Sequence, residues 1–448
     1  MKRPSILSLL LALIVVAPIP ARAGTGKEIP RAKPDTVGLS EERLDRVTAT
    51  LEDDIAAGRL PGGVALVARE GKIAYFESRG MADAENKVPM REDTIFRIYS
   101  MSKPITGVAL MTLYEEGKFF LTDPVSKHIP ELGGLQVLVE DEAVDPRPTF
   151  ALPSADASGK VVKPEEAIGK HHTEPATRDM TIQDLLRHTA GLTYGFFGNS
   201  SVDKMYRNAG LIADDKDLAE MCAKLGKIPL MFQPGSTWHY SVAVDVQGRL
   251  VEVLSGMPFD QYLKTHIFDP LGMVDTGFYV PKEKMDRFAQ MYSPKREGGL
   301  SVADPNLSRN YVNAPTFFSG GGGMVSTATD YLRFCQMMLN GGELDGARIL
   351  SRKTVELMTI DHTGDVPNRT GVLAGGYGFG LGFAVAEDHS RSGLNGTLGE
   401  FNWGGAAGTG FWIDPKEKLI GVYMIQILPP PFRYNEMFKH LAYQSIAD

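Results

Sequence analysis

Strand-like hydropathy in this 448-residue chain is confined to its two ends, and a helix-rich middle separates them. Near the N-terminus, Val64 to Ala68 and Ile73 to Phe76 are short apolar runs split by Glu70-Gly71-Lys72, the pattern of a hairpin. Near the C-terminus, Phe379 to Val385, Gly410 to Ile413 and Leu419 to Ile427 read as further strands. Buried strands must pair their backbone groups. The helix-strand-strand opening fits an α+β fold with an antiparallel sheet; if the two ends meet, they form one sheet flanked by helices, and the middle forms a mostly helical second domain.

The helical segments follow from periodicity. Ser40 is a candidate N-cap for a helix that carries Leu44, Val47, Leu51 and Ile55 at helical spacing and stops at Pro61-Gly62. A second runs from Ser100 to about Glu116, with Ile105, Val108, Met111 and Leu113 on one side. Helical patterns dominate from Thr181 to about Gly272, and a last amphipathic stretch runs from Tyr434 to Ile446. Ser326-Thr-Ala-Thr-Asp330, after the glycine run 320–323, opens a helix of capping-box type. Residues 135–178 carry five prolines and no period, and are expected to form a long inserted loop at the rim of a site. The expected organisation is a leader at 1–23, an α/β domain built from 24–105 and 315–448, and a helical domain at 106–314 that carries the 135–178 insertion.

The leader reading rests on three agreeing features. Lys2 and Arg3 precede an apolar run from Ile6 to Val16, and Ala21-Arg22-Ala23 has a small-x-small cleavage pattern. The run is shorter than the roughly 20 apolar residues of a permanent span. The expectation is export to the periplasm or medium, with no membrane span in the mature chain. Net charge is −8 with no basic stripe, which argues against a nucleic-acid partner. Two cysteines, Cys222 and Cys335, exclude a disulfide-dense scaffold or a cysteine-rich zinc module. Whether they pair stays open.

The nucleophile candidate is Ser100-Met101-Ser102-Lys103. A Ser and a Lys three apart on a helix share one face, and a helix N-terminus favours negative charge. A Lys held partly neutral there can accept the Ser proton. Ser-x-x-Lys is common by chance, and Ser201-Val202-Asp203-Lys204 is a second match. Context favours Ser100, which follows the apolar run Ile95 to Tyr99, whereas Ser201 follows a polar loop. Tyr240, in Trp238-His239-Tyr240-Ser241-Val242, is a candidate base if nearby lysines strip its proton. Trp403-Gly404-Gly405-Ala406 is a candidate edge where paired glycines admit a substrate and the next N–H faces an oxyanion. His188 and His239 lie near these motifs and read as structural histidines.

Taken together, Ser100-x-x-Lys103, Tyr240-Ser-Val and Trp403-Gly-Gly resemble, in order and spacing, the three motifs of penicillin-recognising serine hydrolases of class C β-lactamase type. The resemblance is strongest to their esterase branch, the family VIII carboxylesterases, and runs from about residue 35 to the C-terminus. It implies a β-lactamase/transpeptidase-like fold with Ser100 as nucleophile, Lys103 as proton acceptor and Tyr240 as partner base and later acid. The backbone N–H groups of Ser100 and Ala406 would form the oxyanion hole, and Trp403, Gly404 and Gly405 would bind substrate. Two departures bear on substrate. Val242 stands where β-lactamases of this type have Asn, and Trp403 stands where they have a Lys that pairs with a substrate carboxylate. An indole offers an apolar wall instead. The expected substrate is a small neutral, short-chain carboxylic ester, with β-lactams turned over weakly and no metal or cofactor required. A D-amino-acid peptidase, an acyltransferase and a non-catalytic penicillin-binding-like protein are the alternatives. An α/β-hydrolase is disfavoured, because no intact Gly-x-Ser-x-Gly elbow is present. The histidine spacing offers no helical metal pair.

Overall fold

A computed structural model describes residues 26–142, 166–212, 216–304, 311–368, 371–430 and 433–448. The leader at 1–23 and the centre of the 135–178 segment lie outside the described residues.

Helix α1 (Glu41–Ala56) starts where Ser40 accepts the N–H of Arg43, and it buries Leu44, Val47 and Leu51. The hairpin β1 (Gly62–Arg69) and β2 (Lys72–Asp83) follows, with the short β3 (Val88–Pro89) beside it. From the other end of the chain come β6 (Tyr377–Phe379), β7 (Ala384–Ala386), β8 (Phe401–Gly404), β9 (Gly410–Asp414) and β10 (Leu419–Met424). The two sets join in one eight-stranded sheet of order β6-β7-β8-β9-β10-β1-β2-β3, antiparallel throughout. The seam between the chain ends is β1 against β10, from Val64 opposite Met424 to Arg69 opposite Leu419.

All eight residues of β1 are buried, so the sheet is covered on both faces. On the rear face, Ala65 and Val67 pack with α1 and the C-terminal helix α8 (Tyr434–Tyr443) through Leu44, Leu51, Trp412, Tyr423 and Phe438. On the front face, Val64 and Leu66 join the main core with helix α2 (Ser102–Glu115) and helix α7 (Ala328–Leu339). The helical part between the sheet segments includes α3 (Ile182–Leu186), α4 (Ser201–Ala209), α5 (Leu218–Leu225) and α6 (Ala243–Ser255).

Four expectations change. Residues 135–178 are not all loop: β4 (Gln136–Glu140) and β5 (His171–Pro175) pair in register and frame the segment. The stretch Phe379 to Val385 is a hairpin rather than one strand, because Gly382 takes φ +101° and Gly380 donates to Phe383 O at 2.8 Å. Helix α2 is not apolar on one side only: every residue from Ser102 to Met111 is buried, as befits a helix wedged between sheet and helical domain. At α7 the N-cap is Thr327, but the Asp330 carboxylate turns away to accept from Asp275 N (2.7 Å) and Thr276 Oγ1 (2.9 Å), so no reciprocal box closes. Cys222 and Cys335 are both free and buried.

Candidate active site

Ser100 lies in a 3₁₀ turn, Tyr99–Met101, immediately ahead of α2, and not in the helix proper. The residue before it, Tyr99, is held at φ +43°, a left-handed conformation that a bulky side chain adopts only under local constraint. This turn replaces a smooth strand-to-helix entry and leaves Ser100 half-buried at the start of the α2 axis. Lys103, one turn on, is 1% exposed and donates to Ser100 Oγ at 3.1 Å. Its second acceptor is the carbonyl of Gly321, at 2.5 Å.

Two glycines of the run 320–323 are required by close packing around this contact. A Cβ on Gly320 would lie 2.8 Å from Val244 O, and one on Gly321 would lie 2.6 Å from the Tyr194 hydroxyl. Asp245, buried on α6, fixes the run by accepting Ser319 Oγ at 2.6 Å and Gly321 N at 3.1 Å. Desolvation lowers the Lys103 pKa from its usual value to about 7, and the charge of Asp245 opposes the fall. A substantial fraction of Lys103 is therefore a neutral amine at neutral pH, able to accept a proton.

Tyr240 sits over Lys103, whose Nζ lies 4.4 Å from its ring centroid. Burial pushes the phenol pKa upward, partly offset by hydrogen bonds to Ser100 and Trp403. Tyr240 therefore rests as a protonated phenol. This corrects the expectation of a tyrosinate stripped by lysines, since Lys103, which lies over the ring, is itself near neutrality. Trp403 is also more than an apolar wall: its indole Nε1 donates to Tyr240 Oη at 3.2 Å. That donor stabilises developing charge on the phenol oxygen.

The oxyanion candidates also converge. Gly405 N donates to Thr409 O (2.7 Å) and Gly408 N to Gly405 O (3.0 Å), which makes residues 405–408 a tight turn. Ala406, at the corner of that turn, is exposed. A Cβ on Gly405 would meet Thr409 Oγ1 at 2.2 Å and Ile98 O at 2.4 Å, so glycine is required for the turn to seat beside Ser100. A cavity of about 420 Å³ opens here, lined by Ser100, Tyr240, Trp403, Gly404, Gly405 and Ala406. Every predicted site residue except Lys103, buried behind Ser100, lines this one space.

His188 and His239 are structural. His188 is buried with Nδ1 3.3 Å from Ser241 Oγ, and its ring supports Tyr240 at 4.9 Å between centroids. Burial and the neighbouring Lys103 hold it neutral, its pKa well below the usual value. His239 Nε2 lies 3.3 Å from Thr193 Oγ1. At the second Ser-x-x-Lys, Ser201 is tied to Glu140 and takes no part in the site.

Sequence reasoning missed Asp245, Tyr194 and Phe197. Asp245 had a signal: a lone acid in the apolar run Val242 to Val246. Phe197 and Tyr240 line one side of the cavity and are in ring contact with each other and with Phe196 and Tyr194 behind them. Among the described residues, no cluster of His, Cys, Asp or Glu has the arrangement of a metal site.

The chain is similar to known proteins over most of its length. A family profile described as Beta-lactamase matches residues 47–444. Protein Rv1367c of Mycobacterium tuberculosis (strain ATCC 25618 / H37Rv) is 37% identical over 395 residues, covering 86% of this chain and 90% of that one. Esterase EstB of Burkholderia gladioli is 33% identical over 386 residues, 82% of this chain and 86% of that one. The solved structure of EstCE1, a hydrolase with promiscuous acyltransferase activity, has a TM-score of 0.71 at 28% identity and spans 90% of this chain and 99% of its own.

Proposed function

The chain belongs to the beta-lactamase family, and from that premise we propose that it hydrolyses neutral carboxylic esters through an acyl-enzyme on Ser100. The observation that carries this reading is the pairing of Ser100 with a fully buried Lys103 whose pKa has fallen to about 7. In the first step Ser100 Oγ bonds to the ester carbonyl carbon as its proton passes to Lys103 Nζ. The carbonyl electrons move onto oxygen, which the N–H groups of Ser100 and Ala406 receive. Collapse of the tetrahedral species breaks the C–O bond to the alcohol. Tyr240 supplies the proton to the departing alkoxide and is reprotonated from Lys103. Water then repeats the sequence on the acyl-enzyme and releases the acid.

The substrate class follows from charge. The third motif offers the Trp403 indole and no cation, while Phe197, Leu373 and Leu394 add apolar surface. A neutral acyl group fits this lining. A β-lactam carboxylate lacks its usual partner, and slow turnover is expected. The proposal extends to export: cleavage after Ala23 removes the leader, which intact mass of protein recovered from the periplasm or medium would reveal.

The deciding experiment measures release of p-nitrophenol from p-nitrophenyl acetate by the wild type and Ser100→Ala. Release abolished in the folded variant supports the reading. Equal release from both, or none from a folded wild type, overturns it.

A further inference from the structure

The position of Tyr240 sorts the two halves of an ester between the walls of the cavity. Its phenol protonates the departing alkoxide, so the alcohol oxygen has to come within hydrogen-bond reach of Tyr240 Oη, and the rest of the alcohol begins there. The Tyr240 ring is in contact with the rings of His188, Tyr194, Phe197, Trp238 and Trp403, at centroid distances from 4.9 to 6.1 Å. Of these neighbours, Phe197 and Trp403 line the cavity that holds Ser100. An alcohol that leaves from Tyr240 therefore emerges beside two aromatic side chains. The aliphatic part of the lining has a different origin: Val372, Leu373 and Ala374 precede β6, and Leu394 precedes β8.

Phe197 is a fixed wall. Arg207, on α4, donates to the carbonyls of Gly195 and Gly198, on either side of the Phe196-Phe197 pair, the second at 3.2 Å. The same guanidinium is tied to Glu166 at 2.6 Å. Gly195 takes φ +84°, and a Cβ there would lie 2.9 Å from the Cβ of Tyr206, so the turn into the pair is packed as well as hydrogen-bonded. Phe196 lies 4.6 Å from Phe197 and stacks on Tyr194 at 5.1 Å between centroids. Phe197 is thus held half-buried, between this aromatic group and the open cavity. A ring fixed before the substrate arrives offers aromatic contact at little entropic cost.

We propose that Phe197 and Trp403 form the alcohol subsite, that the preferred esters are those of aromatic alcohols, and that the acyl group lies on the aliphatic side of the cavity. The proposal rests on the Ser100 hydrolase reading and adds to it which half of the ester is selected by aromatic contact. An arene makes offset or edge contacts with aromatic neighbours that a saturated ring of the same size does not. The preference belongs to acylation, because the alcohol has departed before water attacks the acyl-enzyme.

The test compares kcat/KM, which reports acylation, on two matched pairs of esters. 2-Phenylethyl acetate and 2-cyclohexylethyl acetate give the same acyl-enzyme and differ only in the alcohol. Ethyl 3-phenylpropanoate and ethyl 3-cyclohexylpropanoate place the same contrast in the acyl group. Wild type is expected to favour the aromatic member of the first pair by about fivefold and to treat the second pair alike within about twofold. Phe197→Leu should bring the first ratio to within about twofold of one, and Phe197→Tyr should keep it. A wild-type ratio of one in the first pair, an equal preference in both pairs, or a folded Phe197→Leu variant that keeps the preference overturns the assignment. The two wild-type ratios decide the matter even where Phe197→Leu does not fold. Folded wild type that leaves p-nitrophenyl acetate intact would instead remove the hydrolase reading beneath it.

Discussion

The chain carries Ser-x-x-Lys twice with identical spacing, and the structure uses the two copies in opposite ways. At Ser201 the serine is the first residue of α4, after Ser200, whose side chain and Asp203 form a closed capping box. Both the N–H and the hydroxyl of Ser201 go to the carboxylate of Glu140, at 2.7 and 2.9 Å. That carboxylate occupies the donor an oxyanion would need and sets a negative charge where negative charge would develop. Lys204 remains half-exposed. At Ser100 the serine precedes the helix on a strained turn, Ala406 lines the same cavity, and the lysine is buried against neutral oxygens. Spacing brings the pair together in both places. Burial of the lysine, and a serine not tied to a carboxylate as Ser201 is to Glu140, are what turn one pair into chemistry.

The sharpest way to break this contrast is to truncate both pairs. Ser100→Ala and Lys103→Met are each expected to lower kcat/KM on p-nitrophenyl acetate by at least about 10³-fold. Ser201→Ala and Lys204→Met should leave it within about twofold. Comparable losses at the two sites would show that the distinction drawn from burial is wrong.

Next in size is the donor that only the first site has. Trp403→Phe keeps a ring in place but removes the N–H held 3.2 Å from Tyr240 Oη. About a tenfold fall in kcat is expected, with Trp403→Leu no better. An unchanged kcat would mean that the indole acts as a wall alone.

A subtler effect concerns pH. Lys103 must be neutral to accept the Ser100 proton, so kcat/KM should rise with pH to a plateau through about pH 7. The charge of Asp245 opposes the fall in Lys103 basicity. Asp245→Asn should therefore move the acid limb to lower pH, and a limb that stays put would count against Lys103 as the base. Stability has the matching sign. The folded pKa of Lys103 is depressed below its unfolded value of 10.5, so between about pH 7 and 10.5 the unfolded chain binds the extra proton and stability increases with pH. Lys103→Met should flatten that slope in denaturant titrations and be the more stable protein at pH 7.

Much of this is legible in the sequence alone. The strand runs at both ends define the sheet because apolar alternation is a local signal, and the three motifs are legible because their chemistry demands fixed residue types. What stayed hidden depends on non-local contact. The hairpin inside Phe379 to Val385 looks like one run because its turn glycines are flanked by apolar residues. Strands β4 and β5 pair across an intervening 30 residues (141–170), outside any periodicity window. Tyr240 reads as a potential tyrosinate until burial is known, and desolvation then decides the opposite. The hydrogen bond from Trp403 to Tyr240 joins residues 163 apart, and no local pattern announces it.

The smallest expected effect on activity belongs to Glu140, the residue that makes the second pair structural. Its carboxylate receives both groups of Ser201 across |i−j| of 61 residues, joining β4 to the start of α4. Glu140→Ala leaves two donors, both on the buried Ser201, without their acceptor, which costs about 1–3 kcal/mol of stability. The same change also frees the Ser201 N–H and removes the charge beside it. If a free N–H and a serine three residues from a lysine were enough, this variant would gain a second, Ser100-independent esterase site. Our expectation is a lowered Tm, kcat/KM within about twofold of wild type, and no turnover at all in the Ser100→Ala/Glu140→Ala double variant, because Lys204 stays half-exposed and lacks the burial of Lys103. Residual hydrolysis in that double variant would show that removing the carboxylate suffices and that lysine burial matters less than the comparison of the two sites implies.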